Sequence, residues 1–260
     1  MGQENLYRVR KRIKQSNLLF LSETHEAVDA AVTSILQHRA ALETYVRAHP
    51  HFELALDPIH VGGDAPEIVR LAAGAAEVAG VGPMAAIPGS LAELAVGVML
   101  STGSKINLIE NGGEIAAASL CPLAVGIYAG QSVFSGQVGF LLSPSDFPLG
   151  IATSSATVSH ALNFGQADAA VVVADTASMA DAVAKAVCNS VQGDDCEASI
   201  QSGLETVEKI GHVRGALIIR GARIGMVGKL PKLAKFDGNL KGMLTAGLLD
   251  RGNQGVYGVD

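Results

Sequence analysis

Hydrophobic and polar positions change their period along the chain. Tyr7, Val9 and Ile13 alternate with Arg8, Arg10, Arg12 and Lys14, the two-residue period of a half-buried strand. Gln15-Ser16-Asn17 reads as a turn and Leu18–Leu21 as the return strand. The period then lengthens. Val28, Val32, Ile35, Leu36, Leu42 and Tyr45 form one stripe, predicting an amphipathic helix from Thr24 to Ala48 that His49-Pro50 ends. Phe52 to Gly63 has no period and reads as an irregular connection. Asp64, Pro66 and Glu67 mark the start of a second helix, and Ser90-Leu91-Ala92-Glu93 reads as the capping box of a third that runs to Leu100.

Leu71 to Leu100 is the strongest membrane candidate, with Glu77 and Glu93 its only formal charges. Gly80, Gly82, Pro83, Pro88 and Gly89 cut it into pieces too short to span a bilayer. Two buried helices joined by a Gly/Pro loop are the expectation. Their many small residues, Ala72, Ala73, Gly74, Ala75, Ala76, Ala92, Ala95 and Gly97 among them, suit central positions in the fold.

From Lys105 the period shortens again. Strands are predicted at Ile106–Glu110, Glu114–Ala118, Leu123–Tyr128, Gln137–Leu142, Gly150–Ser154 and Asp168–Ala174. Asp175 is the expected cap of a helix from Ala177 to Val191, and Glu197–Lys209 is a more polar one. Ala216–Ile219 and Arg223–Val227 flank Arg220-Gly221-Ala222 as a hairpin. After Lys229 the glycines recur without period, which predicts a tail either poorly ordered or wrapped over another surface. One α+β domain is the expected architecture.

Composition narrows the function classes. With 48% hydrophobic and 17% charged residues, the 260-residue chain is not disordered. A net charge of −6 argues against nucleic acid as the main partner. Three unpaired cysteines, Cys121, Cys188 and Cys196, fit a reducing compartment. Only Leu18–Leu21 is apolar after the basic start, too little for a leader, so a cytoplasmic protein with no membrane is expected. Small-residue helices with few charges fit a homodimer. A small molecule is the remaining partner class.

Four segments gather glycine with polar groups. Val81-Gly82-Pro83-Met84-Ala85-Ala86-Ile87-Pro88-Gly89-Ser90 leads into a helix N-terminus, where free N–H groups would favour phosphate; otherwise it is a loop that Ser90 caps. Glu110-Asn111-Gly112-Gly113-Glu114 is either a plain hairpin turn or a site whose carboxylates bracket a close backbone approach. Gly150 to His160 carries Thr153, Ser154, Ser155, Thr157 and Ser159, a polar binding wall; without a Gly-x-Ser-x-Gly elbow it makes a poor hydrolase. Asp181 sits in an Ala-rich helix that reads as buried, either paired with Lys185 at i+4 or serving a ligand or metal.

In this order the segments resemble the ApbE superfamily, and more closely an uncharacterised branch of it. The resemblance rests on Val81-Gly82-Pro83-Met84-Ala85-Ala86, Glu110-Asn111-Gly112-Gly113-Glu114, Ala152-Thr153-Ser154-Ser155 with His160, and Met179-Ala180-Asp181-Ala182. It implies an α+β fold with antiparallel sheets packed by helices, in a domain over 1–228 followed by the tail 229–260. The superfamily's enzymes take FAD and, with magnesium, transfer FMN to a threonine of an acceptor flavoprotein.

The resemblance implies that Asn111, Gly112, Gly113 and Glu114, with Glu110, line a flavin or adenine pocket, joined by Gly82, Ala85, Ser90, Thr153, Ser154 and Ser155. Asp181 matches a magnesium-binding Asp and His160 a following His, and with Lys185 they form the candidate catalytic set. The enzymes carry a hydroxyl ligand four positions after that Asp. Lys185 stands there, and an ammonium cannot ligate a cation. FAD or FMN is the implied ligand. The alternatives are a non-catalytic assembly or regulatory protein that keeps the fold, and an enzyme acting on another metabolite such as a pterin.

Overall fold

Apolar side chains on both faces of a strand need cover on both sides, and the strands of this protein receive two different covers. The computed structural model describes residues 6–158, 163–236 and 244–246, the last by its backbone alone. In chain order it runs β1 (Tyr7–Ile13), β2 (Ser16–Ser22), α1 (His25–Ala48), α2 (Pro50–Leu54), α3 (Glu67–Ala79), α4 (Ile87–Ser101), β3 (Ile106–Asn111) and β4 (Glu114–Ser119). Then follow β5 (Leu123–Ile127), β6 (Val138–Leu142), β7 (Leu149–Ser154), β8 (Ala169–Ala174), α5 (Ala177–Ser190) and α6 (Cys196–Ile210). The last strands are β9 (Gly215–Arg220), β10 (Arg223–Gly228), β11 (Lys232–Lys235) and β12 (Leu244–Ala246).

Eight strands form an antiparallel sheet in the order β1-β2-β3-β4-β7-β8-β9-β10. Sequence order is kept and interrupted three times. Helices α1–α4 leave after β2, the β5–β6 hairpin leaves after β4, and α5–α6 leave after β8. Strands β11, β6, β5 and β12 make a second sheet, in which β12 runs parallel to β5.

The two-residue period of the strands sorts their side chains between these covers. Leu19, Leu108, Ile115, Ile151, Val171 and Leu217 meet Val125, Ile127 and Phe140 of the second sheet. Their neighbours Phe20, Ile109, Ala116, Ala152, Val172 and Ile218 meet the helices. The order is therefore helices, large sheet, small sheet.

The long helix begins where its cap predicts. Thr24 Oγ1 accepts the Ala27 N–H at 3.3 Å. Among the described residues one helical stretch, Pro83–Ser101, is long and apolar enough to cross a membrane by length and composition. Its α4 part instead buries Ala92, Ala95 and Met99 against α1 and strands β2–β4.

Four expectations are corrected. The connection after residue 50 contains α2, with Phe52 fully buried. Helix α4 starts three residues before Ser90, which lies inside it and donates to the Ala86 carbonyl at 2.7 Å, so Ser90 is not its cap. The cap of α5 is Thr176, whose side chain accepts the Met179 N–H, while Asp175 is exposed and paired with Arg214 at 2.7 Å. The expected tail contributes β11, which pairs with β6; residues 237–243 and 247–260 lie outside the described residues.

Candidate functional site

Antiparallel order brings the β1–β2 turn, the β3–β4 turn and the last residues of β7 to one end of the large sheet. There the sheet splits. Strands β4 and β7 pair only from Ala117 to Ile115 against Leu149 to Ile151. Beyond that, Thr153 and Ser154 stay paired with β8, while Glu114 continues into its turn with β3. The gap is a cavity of about 340 Å³, roofed by Met84, Ala85, Pro88 and Leu91 around the start of α4. Asn111, Gly112 and Glu114 border it from one strand pair, Thr153, Ser154 and Ser155 from the other, and Asp181 and Lys185 from α5.

The β3–β4 turn is tight because Gly112 and Gly113 both take positive φ, 75° and 123°. The glycines thus serve the hairpin, and the same hairpin edges the cavity. Its register pairs Asn111 with Glu114 and Glu110 with Ile115. The first pair faces the helices, and Asn111 Nδ2 donates to the Pro88 carbonyl at 3.1 Å. The second pair faces the small sheet, so Glu110 does not line the cavity. Gly113 and Ser90 do not line it either. Nor does Gly82, where a Cβ would overlap the Ala55 carbonyl oxygen. His160 lies outside the described residues.

The phosphate-binding helix start expected at 82–89 is already occupied by the chain itself. Asp181 Oδ2 accepts the Gly89 N–H at 2.8 Å. The Ile87 N–H goes to the Met84 carbonyl, and Pro88 has no N–H. No donor of that first turn is left for a phosphate. Helix α4 returns the service, since Glu93 Oε2 accepts from Ser178 N at 3.0 Å and Ser178 Oγ at 2.7 Å in the first turn of α5. Two helix N-termini thus exchange carboxylates, each favoured by the partner's dipole. Close approach makes this possible, because a Cβ on Gly89 would lie 2.8 Å from Asp181 Cβ.

Asp181 borders the cavity together with Glu114, and the two carboxyls interact electrostatically. Burial pushes the Asp181 carboxyl up to about 7, against the Gly89 hydrogen bond and the charge of Lys185. Burial, then the negative charge of Asp181, holds Glu114 well above the usual carboxylate range. Lys185 is pulled down by burial. Its Nζ donates to Asn163 Oδ1 at 2.8 Å, which also accepts from Ser154 Oγ at 3.1 Å, while Asn163 Nδ2 holds the Ser155 carbonyl at 2.7 Å. The sequence-predicted pair Asp181–Lys185 therefore shares its site with Glu114 and Asn163, and Asn163 was not foreseen.

Arg39 was also missed. It lines the cavity from α1, with Gln15, Ser16 and Asn17 of the β1–β2 turn. Its spacing held a signal: position 39 falls between Ile35 and Leu42 on the apolar stripe, where an arginine needs a reason. A wider open groove of about 570 Å³ between α6 and β10 carries the solvent-exposed pair Arg223–Glu197 and none of these buried groups. The smaller cavity is the candidate site.

Known proteins compare as follows. The family described as AbpE bacteria matches residues 2–212. The UPF0280 protein of Methanococcoides burtonii is 38% identical over 226 residues, 87% of this chain and 94% of its own length. That of Methanocaldococcus jannaschii is 39% identical over 227 residues, 86% of this chain and 92% of its own. Among solved structures, the apo flavinyl transferase ApbE of Pseudomonas stutzeri superposes with a TM-score of 0.52 at 12% identity, covering 91% of this chain and 96% of that one. The ApbE protein of Thermotoga maritima gives 0.54 at 12% identity, covering 85% and 96%. These two likenesses establish the fold.

Proposed function

The chain belongs to the AbpE bacteria family, and on that premise we propose that its cavity binds a flavin nucleotide, or a related heterocycle carrying a phosphate. The observation that carries this reading is the buried group of Asp181, Glu114 and Lys185, which borders a partly open cavity where the sheet splits. The solved structure of the same fold named a flavinyl transferase supports the choice of ligand class. A heterocycle edge that offers both donors and acceptors suits carboxyls that retain a proton near neutral pH. Thr153 Oγ1, buried without a partner, supports the same reading, because a ligand atom would satisfy it.

Magnesium does not fit the described residues. They offer it two carboxyl groups, one oxygen of which is held by Gly89, with an ammonium beside them and no third Asp, Glu, His or Cys grouped there. Lys185 supplies the positive charge of the site, and no metal-dependent step is assigned to it.

The test is titration of purified protein with FMN, FAD and riboflavin, followed by flavin fluorescence and thermal unfolding. Quenching with a raised Tm is expected for at least one flavin, weakened about tenfold in Lys185→Met. No response to any of them at high micromolar concentration overturns the reading. Mass spectrometry of ligands that copurify then separates a pterin-like metabolite from a protein that holds none.

A further inference from the structure

The cavity has two cationic ends of different character. At the α5 end Lys185 is accompanied by Asp181 and Glu114. At the hairpin end stands Arg39. Strand β2 and the turn before it lie three positions from β7 in the sheet, about 14 Å at ordinary strand spacing. The cavity therefore runs across the strand ends from one cation to the other.

Two carboxyls already crowd the α5 end, and both resist ionising there. A further anion at that end would compete with both of them for the one ammonium of Lys185 and would push them further toward their neutral forms. The start of α4 offers no free N–H to compensate.

Arg39 presents the opposite situation. Its guanidinium is held flat by two hydrogen bonds, Nη1 to Ser16 Oγ at 3.0 Å and Nη2 to Gln15 Oε1 at 2.6 Å. Both acceptors are uncharged. The carboxylate in reach, Glu43, lies 3.8 Å from Nη2 and is held more closely by Lys14, at 2.6 Å. The side chain is only 14% exposed, and its Nε–H is buried without an acceptor. A guanidinium cannot shed its charge, and it presents a donor fork matched to a phosphate or carboxylate.

We infer that Arg39, braced by the β1–β2 turn, is the anion subsite of this cavity and orients its ligand with the phosphate at the hairpin end and the uncharged heterocycle at Asp181, Glu114 and Lys185. The inference rests on the ligand class proposed above and adds a polarity to it. It also defines what the cavity selects: a phosphate ester over the same heterocycle without phosphate.

The experiment compares FMN with riboflavin by isothermal titration at fixed ionic strength. The native protein binds FMN about tenfold more tightly than riboflavin, and Arg39→Gln abolishes the preference while leaving riboflavin unchanged. Equal affinities in the native protein, or equal weakening of both ligands in R39Q, overturn the inference. If neither flavin binds, inorganic phosphate is the probe. Heat from millimolar phosphate that is lost in R39Q upholds the subsite although the flavin reading has failed, and absence of that heat in the native protein overturns the subsite as well. Circular dichroism reports whether R39Q folds. If it does not, Arg39→Lys keeps the charge and loses the fork, and an unchanged FMN preference in R39K overturns the inference.

Discussion

Glu110 and Glu114 sit four residues apart around one turn, and the fold raises the proton affinity of both, yet only one of them touches the cavity. Glu114 is on the helix face of the large sheet, where β4 and β7 separate. Glu110 is on the other face, beside Arg10 and Arg8 of β1. Burial pushes Glu110 up to about 8, although the charges of Arg10 and Arg8 pull it down. A perturbed carboxyl is thus shared by the open face and the closed one. What separates the two is space beside the group. Desolvation alone marks a buried acid; desolvation at a cavity marks a candidate site.

The strongest way to break this difference is to spoil the helix face. Gly150 is where β7 passes the start of α5, and a Cβ there would overlap the backbone of Thr176 and Ala177. The obstacle is main chain, which no side-chain rotation relieves. Gly150→Ala should cost about 3 kcal/mol or more, read as a lowered midpoint in urea, with flavin binding lost as α5 and its Asp181 move.

Asp181→Ala comes next. It leaves the Gly89 N–H buried without an acceptor and should destabilise by about 1–3 kcal/mol. Asp181→Asn keeps an oxygen for that N–H and should cost less. The two variants separate the capping role of the side chain from its titration.

Titration itself distinguishes the faces. Asp181 and Glu110 both have folded pKa values above their ordinary ones, at about 7 and about 8. Each therefore stabilises the fold fully below about pH 4, and that stability is lost as pH rises through the folded value. Stability should fall from pH 5 to pH 9. Glu110→Gln should change little at pH 5 and should gain on the native protein at pH 9, by about 3–5 kcal/mol. Saturating FMN should alter the part of the pH slope that Asp181→Asn removes and leave the Glu110 part unchanged. An FMN effect on the Glu110 part would mean that the two faces are not independent.

Much of this was legible in the chain. Strand β1 shows because one of its faces is half-buried and the other exposed, and β1, β2 and the hairpin at residue 221 fall close to where period and turn residues place them. Even the separation of Glu110 from Glu114 was within reach, since a two-residue turn forces Asn111 opposite Glu114. The carboxylate exchange between α4 and α5 was not. Asp181 and Gly89 are 92 residues apart, and Glu93 and Ser178 are 85 apart. A local reading gives each carboxylate a local partner: Lys185 for Asp181, Ser90 for Glu93. Tertiary packing replaced both. Arg39 was overlooked for a related reason, because its partners Ser16 and Gln15 lie across a helix and a turn.

Ser90 supplies the smallest test, and it works within the open face. The local reading puts Ser90 at a phosphate-binding helix start, whereas the structure puts its hydroxyl on the Ala86 carbonyl, buried inside α4. Ser90→Ala removes that hydrogen bond, worth about 1 kcal/mol. It also removes a hydroxyl whose bond to the carbonyl four residues back disfavours a straight helix, and it installs the best helix former, which returns about 0.5 kcal/mol. The net loss should be about 0.5 kcal/mol, a shift of roughly 1–2 °C in Tm for a chain of this size. Affinity for FMN should not change. A tenfold loss of FMN affinity in S90A, with the fold intact, would return the phosphate to the start of α4 and remove the reason for placing it at Arg39.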